Sequence, residues 1–411
     1  MYRILEGLSV VEGSAFIAAP TCGMTFAQLG AEVIRFDLPG GGIDYHRWPL
    51  REGGGASFYW AGLNKAKKSI VVDFRKPEGR ELLTRLITRP GDGAGLFVTN
   101  FAMNGWLAYD RLTQHRKDLI ALNVTGNRDG GTAVDYTVNA AVGYPMVTGT
   151  EEGPDRAPVN NVVPAWDFIT GQTAALGLLA AERHRRNTGE GQLIRLALSD
   201  VAMFTVAATG HVGEALVDGT ERPVLGNDIY GAFGRDFACA DGRRVMVVTV
   251  SESQWTRLVA ATGIAEPVAL LERAHGLDLR REEARFAVRD EIAALVAPWC
   301  AARPLAAVAS AFDAAGVCWG PYQTFRQLVA EDPRCSPANP MFAAVDQPGL
   351  GRYLAPGSPL EFGAFDRMAT APAPLLGQHT EEVLAGHLGL GGGEIARLHD
   401  AGIVAGPARN G

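Results

Sequence analysis

Residues 8–37 constrain the fold more than any other stretch. The apolar run LSVVE, the turn GSAFIAAP, the helical text CGMTFAQLG and the second apolar run AEVIRFD follow in direct succession. A strand, a helix and a strand in that order predict a parallel sheet covered by helices. Further apolar runs at 69–74 (SIVVDF), 95–100 (GLFVTN) and 119–124 (LIALNV), with helical text such as PEGRELLTRLI between them, extend the pattern. The spacing predicts a doubly wound α/β domain. A long helix is expected from near Asp167 through TAALGLLAAERHRRNTGEG, with Gly189 and Gly191 as its stop.

At 411 residues the chain is too long for one core, so two or three domains are expected. The text changes after about residue 222, where YGAFGRDFACADGRRVMVVTV reads as a hairpin around Asp241-Gly242 and helical runs follow. This gives a large domain over 1–222, a smaller α+β domain over 223–328 and a C-terminal segment over 329–411. A formal net charge of −7 argues against a nucleic-acid partner, which needs a dominant basic face, while leaving room for a local basic pocket. The five cysteines are scattered without a C-x-x-C pair, and the histidines form no H-x-x-x-H pattern, so a reducing cytoplasm and no metal site are expected. No apolar stretch approaches the roughly 20 residues that span a bilayer, so no membrane partner is expected.

Three stretches carry chemistry. Gly13-x-Ala15-x-x-Ala18, with Asp37 ending the next strand, is a degenerate dinucleotide fingerprint, but bulky Phe16 and Ile17 stand where a pyrophosphate needs close backbone approach. The run LNKAKKSIVVDFRKPEG clusters Lys65, Lys67, Lys68, Arg75 and Lys76, which suits either a multiply phosphorylated ligand or a solvated face. The third is VVPAWDFITGQ, where Asp167 sits between Trp166 and Phe168 in core-like text. Asp is a favoured helix N-cap, so Asp167 fits a cap. It equally fits a nucleophile, held ionised by the positive end of the helix while aromatic walls strip it of water.

Seven ordered blocks, among them ILEGLSVVEGSAFIAAPTCGMTFAQLGAEVIRFD, NKAKKSIVVDFRKPEGRELLTRLI, DYTVNAAVG, PAWDFITGQTAALGLLAAERHRRNTGEGQLIRLALSD and PLLGQHTEEVLAGHLGL, resemble the class III (CaiB/BaiF-type) CoA-transferase family over almost the whole chain. The resemblance implies that Asp167 is the nucleophile, forming an aspartyl-acyl anhydride and then an aspartyl-CoA thioester. It implies CoA contacts from Ala15, Phe16, Ile17 and Ala18 of the first turn, from Val72 and Arg75, and from Asn100 and Phe101. It also implies an acyl-CoA substrate with no cofactor beyond that CoA moiety, and an interlocked homodimer whose large domain is built from both termini.

Leu38 replaces a CoA-binding arginine of the family and Thr125 a lysine, while Asn139 and Val142 stand for a common glutamine and serine. With the shielding glycine loop of the formyl enzyme also absent, formate and oxalate are disfavoured as acceptors. Within the family, the resemblance of stretches such as EGSAFIAAP and VVPAWDFITGQ implies intramolecular transfer between the carboxyl groups of a branched unsaturated dicarboxylate as the leading expectation, with intermolecular transfer to a free acid second. A dehydrogenase and a non-catalytic CoA-binding scaffold stand behind them. His46, Arg47 and Arg128 are candidates for the free carboxylate, with Asp135 and Tyr136 as further substrate contacts.

Overall fold

The computed structural model describes residues 1–53, 55–149 and 157–407. The chain runs β1 (Ser9–Gly13), α1 (Ala18–Gln28), β2 (Glu32–Asp37), α2 (Phe58–Leu63), β3 (Lys68–Val72), α3 (Pro77–Ile87), β4 (Leu96–Thr99), α4 (Tyr109–His115), β5 (Ile120–Thr125), α5 (Asp135–Ala140) and α6 (Tyr144–Val147). It continues through α7 (Ala165–Thr188), β6 (Gln192–Ala197), α8 (Leu198–Ala208), α9 (His211–Val217), β7 (Phe233–Ala238), β8 (Arg244–Thr249) and the helices α10 (Glu252–Thr262), α11 (Ala265–His275), α12 (Glu282–Ala287), α13 (Arg289–Ala301) and α14 (Leu305–Ala315). The last elements are β9 (Trp319–Pro321), α15 (Phe325–Glu331), β10 (Phe342–Gln347), β11 (Gly351–Pro356), α16 (Thr380–Leu388), α17 (Gly392–Asp400) and β12 (Val404–Ala405).

Two compact units result. The first comprises Met1–Val142, Val162–Gly213 and Asp332–Gly411, and the second Gly143–Asn161 and Glu214–Glu331. The reading of residues 1–222 as one domain therefore differs from the structure at 143–161 and 214–222. Leu225 N–H donates to the Val147 carbonyl at 2.9 Å, which ties the earlier segment to the later one, while Val159 N–H donates to the Pro145 carbonyl within the earlier segment. Sequence texture does not reveal such a pairing, because both segments read as loop.

In the first unit a seven-stranded sheet has the order β12-β3-β2-β1-β4-β5-β6, parallel throughout except for antiparallel β12. Successive strand residues face opposite layers. Val10, Val33, Leu96 and Val98 pack with Phe26 of α1 and Ala174 and Leu178 of α7, whereas Val11, Ile34, Phe97 and Ile70 pack with Leu83 and Leu86 of α3 and Leu384 of α16. The order 3-2-1-4-5-6 is the doubly wound one, whose connections diverge at the carboxyl ends of β1 and β4, the place where such sheets bind ligands. The second unit packs a three-stranded antiparallel sheet, β7-β8-β9, against its own core of Phe233, Val247, Leu258, Ile292 and Phe312. Text read as one helix over ARFAVRDEIAALVAPWCA is broken at Val288 into α12 and α13.

Gly171 sets the approach of α1 to α7. A Cβ at this position would lie 2.6 Å from the Ala18 carbonyl oxygen and 2.6 Å from Thr21 Cβ. Neither is the end of a flexible side chain, so the two helices would have to separate. Gly171→Ala is expected to destabilise the fold by about 1–3 kcal/mol and, because Asp167 lies one turn away on α7, to lower activity in the folded fraction. Thermal melts combined with active-site titration check both parts.

Candidate active site

Three strand ends are locked together where the sheet order reverses. Thr99 Oγ1 donates to the Gly13 carbonyl at 2.6 Å, and Asn123 Nδ2 donates to the carbonyls of Thr99 and Phe101 at 3.3 and 3.0 Å. The Asn100 amide grips Ala15 twice, accepting from its N–H at 3.0 Å and donating to its carbonyl at 2.8 Å. This clamp holds the β1–α1 turn with Phe16 at φ +65°, a left-handed conformation that a bulky residue adopts only when its surroundings impose it. Asn100 is thus engaged with the turn itself.

Asp167 lies in the first turn of α7, two residues after its start. Pro164 precedes the helix and offers it no side-chain cap. Asp167 is therefore not the cap that Asp residues so often provide. Its own N–H instead donates to Asp135 Oδ2 at 3.0 Å, placing the buried Asp135 carboxylate at the positive end of α7. Burial, and after it the negative charge of Asp135, pushes the Asp167 carboxyl up to about 7. The expectation that the helix end keeps Asp167 strongly ionised is corrected here: Asp135 takes that electrostatic benefit. Trp166 is buried, with its indole N–H donating to Asn139 Oδ1 at 3.0 Å, whereas Phe168 is exposed.

The aromatic group that does sense Asp167 is Tyr59 on α2, which the sequence reading missed. Burial raises its phenol, the Arg47 charge opposes this, and the charges of Asp167 and Asp44 raise it further. The Arg47 guanidinium lies 5.4 Å from the Tyr59 ring centroid and 5.5 Å from that of Phe16. Among the described residues it forms no ion pair. The site thus assembles a poorly solvated carboxyl, a phenol and a guanidinium without a carboxylate partner. Such a set can attack an acyl carbon and bind a carboxylate beside it.

The remaining sequence candidates fall elsewhere or serve the scaffold. Ala15, Ile17 and Ala18 are buried around the first turn. Val72 is fully buried in the core, so its side chain faces no ligand, and Phe101 packs on Phe36 and Phe74. Arg75 is held by Asp73 at 2.7 and 3.0 Å. Arg128 pairs with Asp200 at 2.7 Å, and Tyr136 donates its hydroxyl to the Val162 carbonyl at 3.3 Å. His46 is exposed, edge-on to Tyr45 at 4.8 Å. Thr125 donates to the Asn127 carbonyl at 3.0 Å, and Leu38 is half-buried.

The basic cluster divides: Lys65 and Lys67 are buried, Lys68 and Lys76 are half-buried and Arg75 is exposed, each with a partner inside the protein. Lys67 is buried on Glu12 at 2.8 Å, and Lys68 pairs with Glu32 and Glu382 at 2.7 and 2.8 Å. Lys76 donates to the carbonyls of Ala401 and Gly402 at 2.8 and 3.1 Å, while Lys65 is buried and donates to the Gly62 carbonyl. Density of charge in sequence could not distinguish these partners, because they come from distant segments.

Asp135→Asn is expected to move the rising limb of the activity–pH profile toward acid by about half to one pH unit. Removing the neighbouring charge lets Asp167 ionise more readily, although burial, the larger influence, stays in place. Profiles of kcat/KM between pH 5 and 9 for both proteins would show this. An unmoved limb would separate the two carboxyls.

Residues 5–380 match the family model described as CoA-transferase family III. The chain is 56% identical to 2-methylfumaryl-CoA isomerase of Chloroflexus aurantiacus over 409 residues, covering 100% of each protein. It is 27% identical to succinyl-CoA:mesaconate CoA-transferase of Haloarcula hispanica, covering 92% of this chain and 95% of that one. Among solved structures, a CAIB/BAIF family protein from Brucella suis superposes with a TM-score of 0.76 at 26% identity, covering 94% of this chain and 100% of that one. Among the described residues no single helix is long and apolar enough to cross a membrane.

Proposed function

The chain belongs to CoA-transferase family III, and from that membership we propose that it moves CoA between the two carboxyl groups of a single 2-methylfumaryl unit, as an isomerase. The observation that carries the substrate is the 56% identity over the full length of 2-methylfumaryl-CoA isomerase. The site supports the chemistry.

One Asp167 carboxylate oxygen attacks the thioester carbonyl, forming an aspartyl-acyl anhydride and expelling CoA thiolate. The thiolate attacks the aspartyl carbonyl, giving aspartyl-CoA thioester and a free dicarboxylate. The dicarboxylate presents its other carboxylate to the aspartyl carbonyl, CoA leaves once more, and its return to the new acyl carbonyl regenerates Asp167. Each covalent step replaces one difficult transfer by two easier ones. Retention of the dicarboxylate beside Asp167 gives its second carboxylate an effective concentration far above that of any dissolved acid. Arg47, steadied by Tyr59, binds the free carboxylate at each stage.

A second reading, transfer to a dissolved acid, is favoured by the resemblance to succinyl-CoA:mesaconate CoA-transferase. The experiment is turnover of 2-methylfumaryl-CoA in the presence of isotopically labelled free mesaconate. Isomerisation without label in the thioester is expected. Label entering at the catalytic rate would establish the intermolecular reading instead.

Assembly as a homodimer is part of the same proposal. Support comes from exposed apolar side chains on α7 and α8, Leu176, Met203 and Phe204. Light scattering is expected to give twice the chain mass, and Leu176→Glu to reduce it.

A further inference from the structure

The segment between β2 and α2, which carries Arg47, is tied at its far end by the Leu50–Ser57 bridge and by Arg51 Nη1 donating to the Gly349 carbonyl at 3.1 Å, but its described residues bury no apolar side chain. From Leu38 to Ala56, Asp44 is the one buried side chain among the described residues, 1% exposed, while Ile43 and Trp48 on the same loop are 69% and 78% exposed. An apolar anchor is the usual way to fasten a loop. Here the anchor is a carboxylate.

Asp44 is received by Arg35, whose Nη2 lies 3.0 Å from both Asp44 oxygens. Arg35 is itself rigid: it forms a fork with Asp37 at 3.0 and 3.1 Å, donates to Asn64 at 3.2 Å, and lies 4.3 Å from the Trp60 ring centroid. Glu12 stands 3.7 Å from Arg35 and carries Lys67. The receiving group is thus fixed by strand and helix before the loop arrives. On the loop side, Arg47 N–H donates to the Asp44 carbonyl at 3.2 Å, and Ser57 Oγ donates to the Arg47 carbonyl at 2.6 Å. Tyr45, next to Asp44, packs edge-on against the same Trp60 at 5.0 Å. Gly42 leaves room for the arrangement, because a Cβ there would lie 3.0 Å from both the Asp37 and Asp44 carboxylates.

We propose that Asp44 is a positioning residue: its buried pairing with Arg35 latches the loop so that the Arg47 guanidinium is held over the Tyr59 and Phe16 rings, where it receives the substrate's free carboxylate. The inference rests on the reading of Arg47 given above. The latch acts one covalent bond network away from the chemistry and touches neither substrate nor nucleophile. Charge suits the task better than an apolar contact, since a buried carboxylate released from its guanidinium is strongly unfavourable and the loop therefore has one stable seat.

The test compares the parent, Asp44→Asn, Arg47→Ala and the double variant as full-length chains with 2-methylfumaryl-CoA. Four quantities are read: kcat, KM, hydroxylamine-trapped modification of Asp167, and label uptake from free mesaconate. For Asp44→Asn a fall in kcat/KM of about 10–100-fold is expected, with trapping at Asp167 within about twofold of the parent and increased label uptake, because a loosened Arg47 no longer retains the dicarboxylate. The double variant is expected to match Arg47→Ala alone. Hydrogen exchange across residues 38–56 is expected to rise in Asp44→Asn while the sheet keeps its protection. Kinetics that change only in proportion to the folded fraction, or losses that multiply in the double variant, would overturn the latch. If Arg47→Ala itself leaves KM and label uptake unchanged, the carboxylate role of Arg47 fails, a result distinct from failure of Asp44→Asn alone. Should Asp44→Asn not fold, Gly42→Ala crowds the same pair and is expected to reproduce the pattern; parent-like kinetics there would overturn the proposal.

Discussion

Asp167→Asn is expected to lower turnover by about 10⁴-fold or more while making the protein more stable at neutral and alkaline pH. The first effect follows from loss of the attacking oxygen, since an amide forms no anhydride. The second follows from the carboxyl's position. In the unfolded chain it titrates near 3.8, and in the folded protein burial and Asp135 hold it near 7. A group raised on folding contributes fully below the unfolded value, and that contribution is lost as the pH rises through the folded one. The parent therefore bears its penalty at pH 8 and none at pH 4. With Asp167 half-buried and partly screened by solvent, the gain on substitution is about 1–2 kcal/mol at pH 8 and vanishes near pH 4. Thermal melts across that range check the slope, and an unchanged difference between the proteins at pH 4 and pH 8 would refute it. The same titration makes activity rise with pH through about 7, because the attacking species is the carboxylate.

Arg47→Ala is the second large effect. A charge-assisted contact from the exposed Arg47 guanidinium to a substrate carboxylate is worth about 1.5–3 kcal/mol, so kcat/KM is expected to fall about 10–150-fold. The loss should be smaller for an acyl-CoA without a second carboxylate, which has nothing for the guanidinium to hold. Comparing the dicarboxylic thioester with a monocarboxylic analogue of similar size separates this role from a structural one. Equal losses on both would place Arg47 in the scaffold. Arg47→Lys keeps the charge but loses the planar fork and is expected to recover only part of the rate.

The local pattern made the sheet legible. Continuous apolar runs at β1 to β5 and the Pro-initiated α3 need only neighbouring residues to be recognised, and α7 ends where Gly189 takes φ +78°. The short antiparallel β12, the β10–β11 hairpin and the membership of 143–161 in the second unit escaped notice. Their partners lie far away in sequence, and their own text is short or rich in glycine and proline.

Asp167 stood out in sequence because a charge in core-like text demands compensation. What compensates it did not. Asp135 read as a substrate contact and is found at the amide of Asp167, while Tyr59 carried no signal and Arg47 was one of several exposed cations. The basic run at 65–76 read as either a ligand patch or a solvated face, and Lys67 and Lys68 in it are found tied to Glu12 and Glu382. By itself the sequence determined which segments form strands and helices and which carboxylate is out of place, since both follow from burial preferences of residues close along the chain. Only the tertiary structure decided which charges meet. Electrostatic partnership depends on distances of a few ångströms between segments that may be over 300 residues apart, as Lys68 and Glu382 are, and no local pattern encodes that separation.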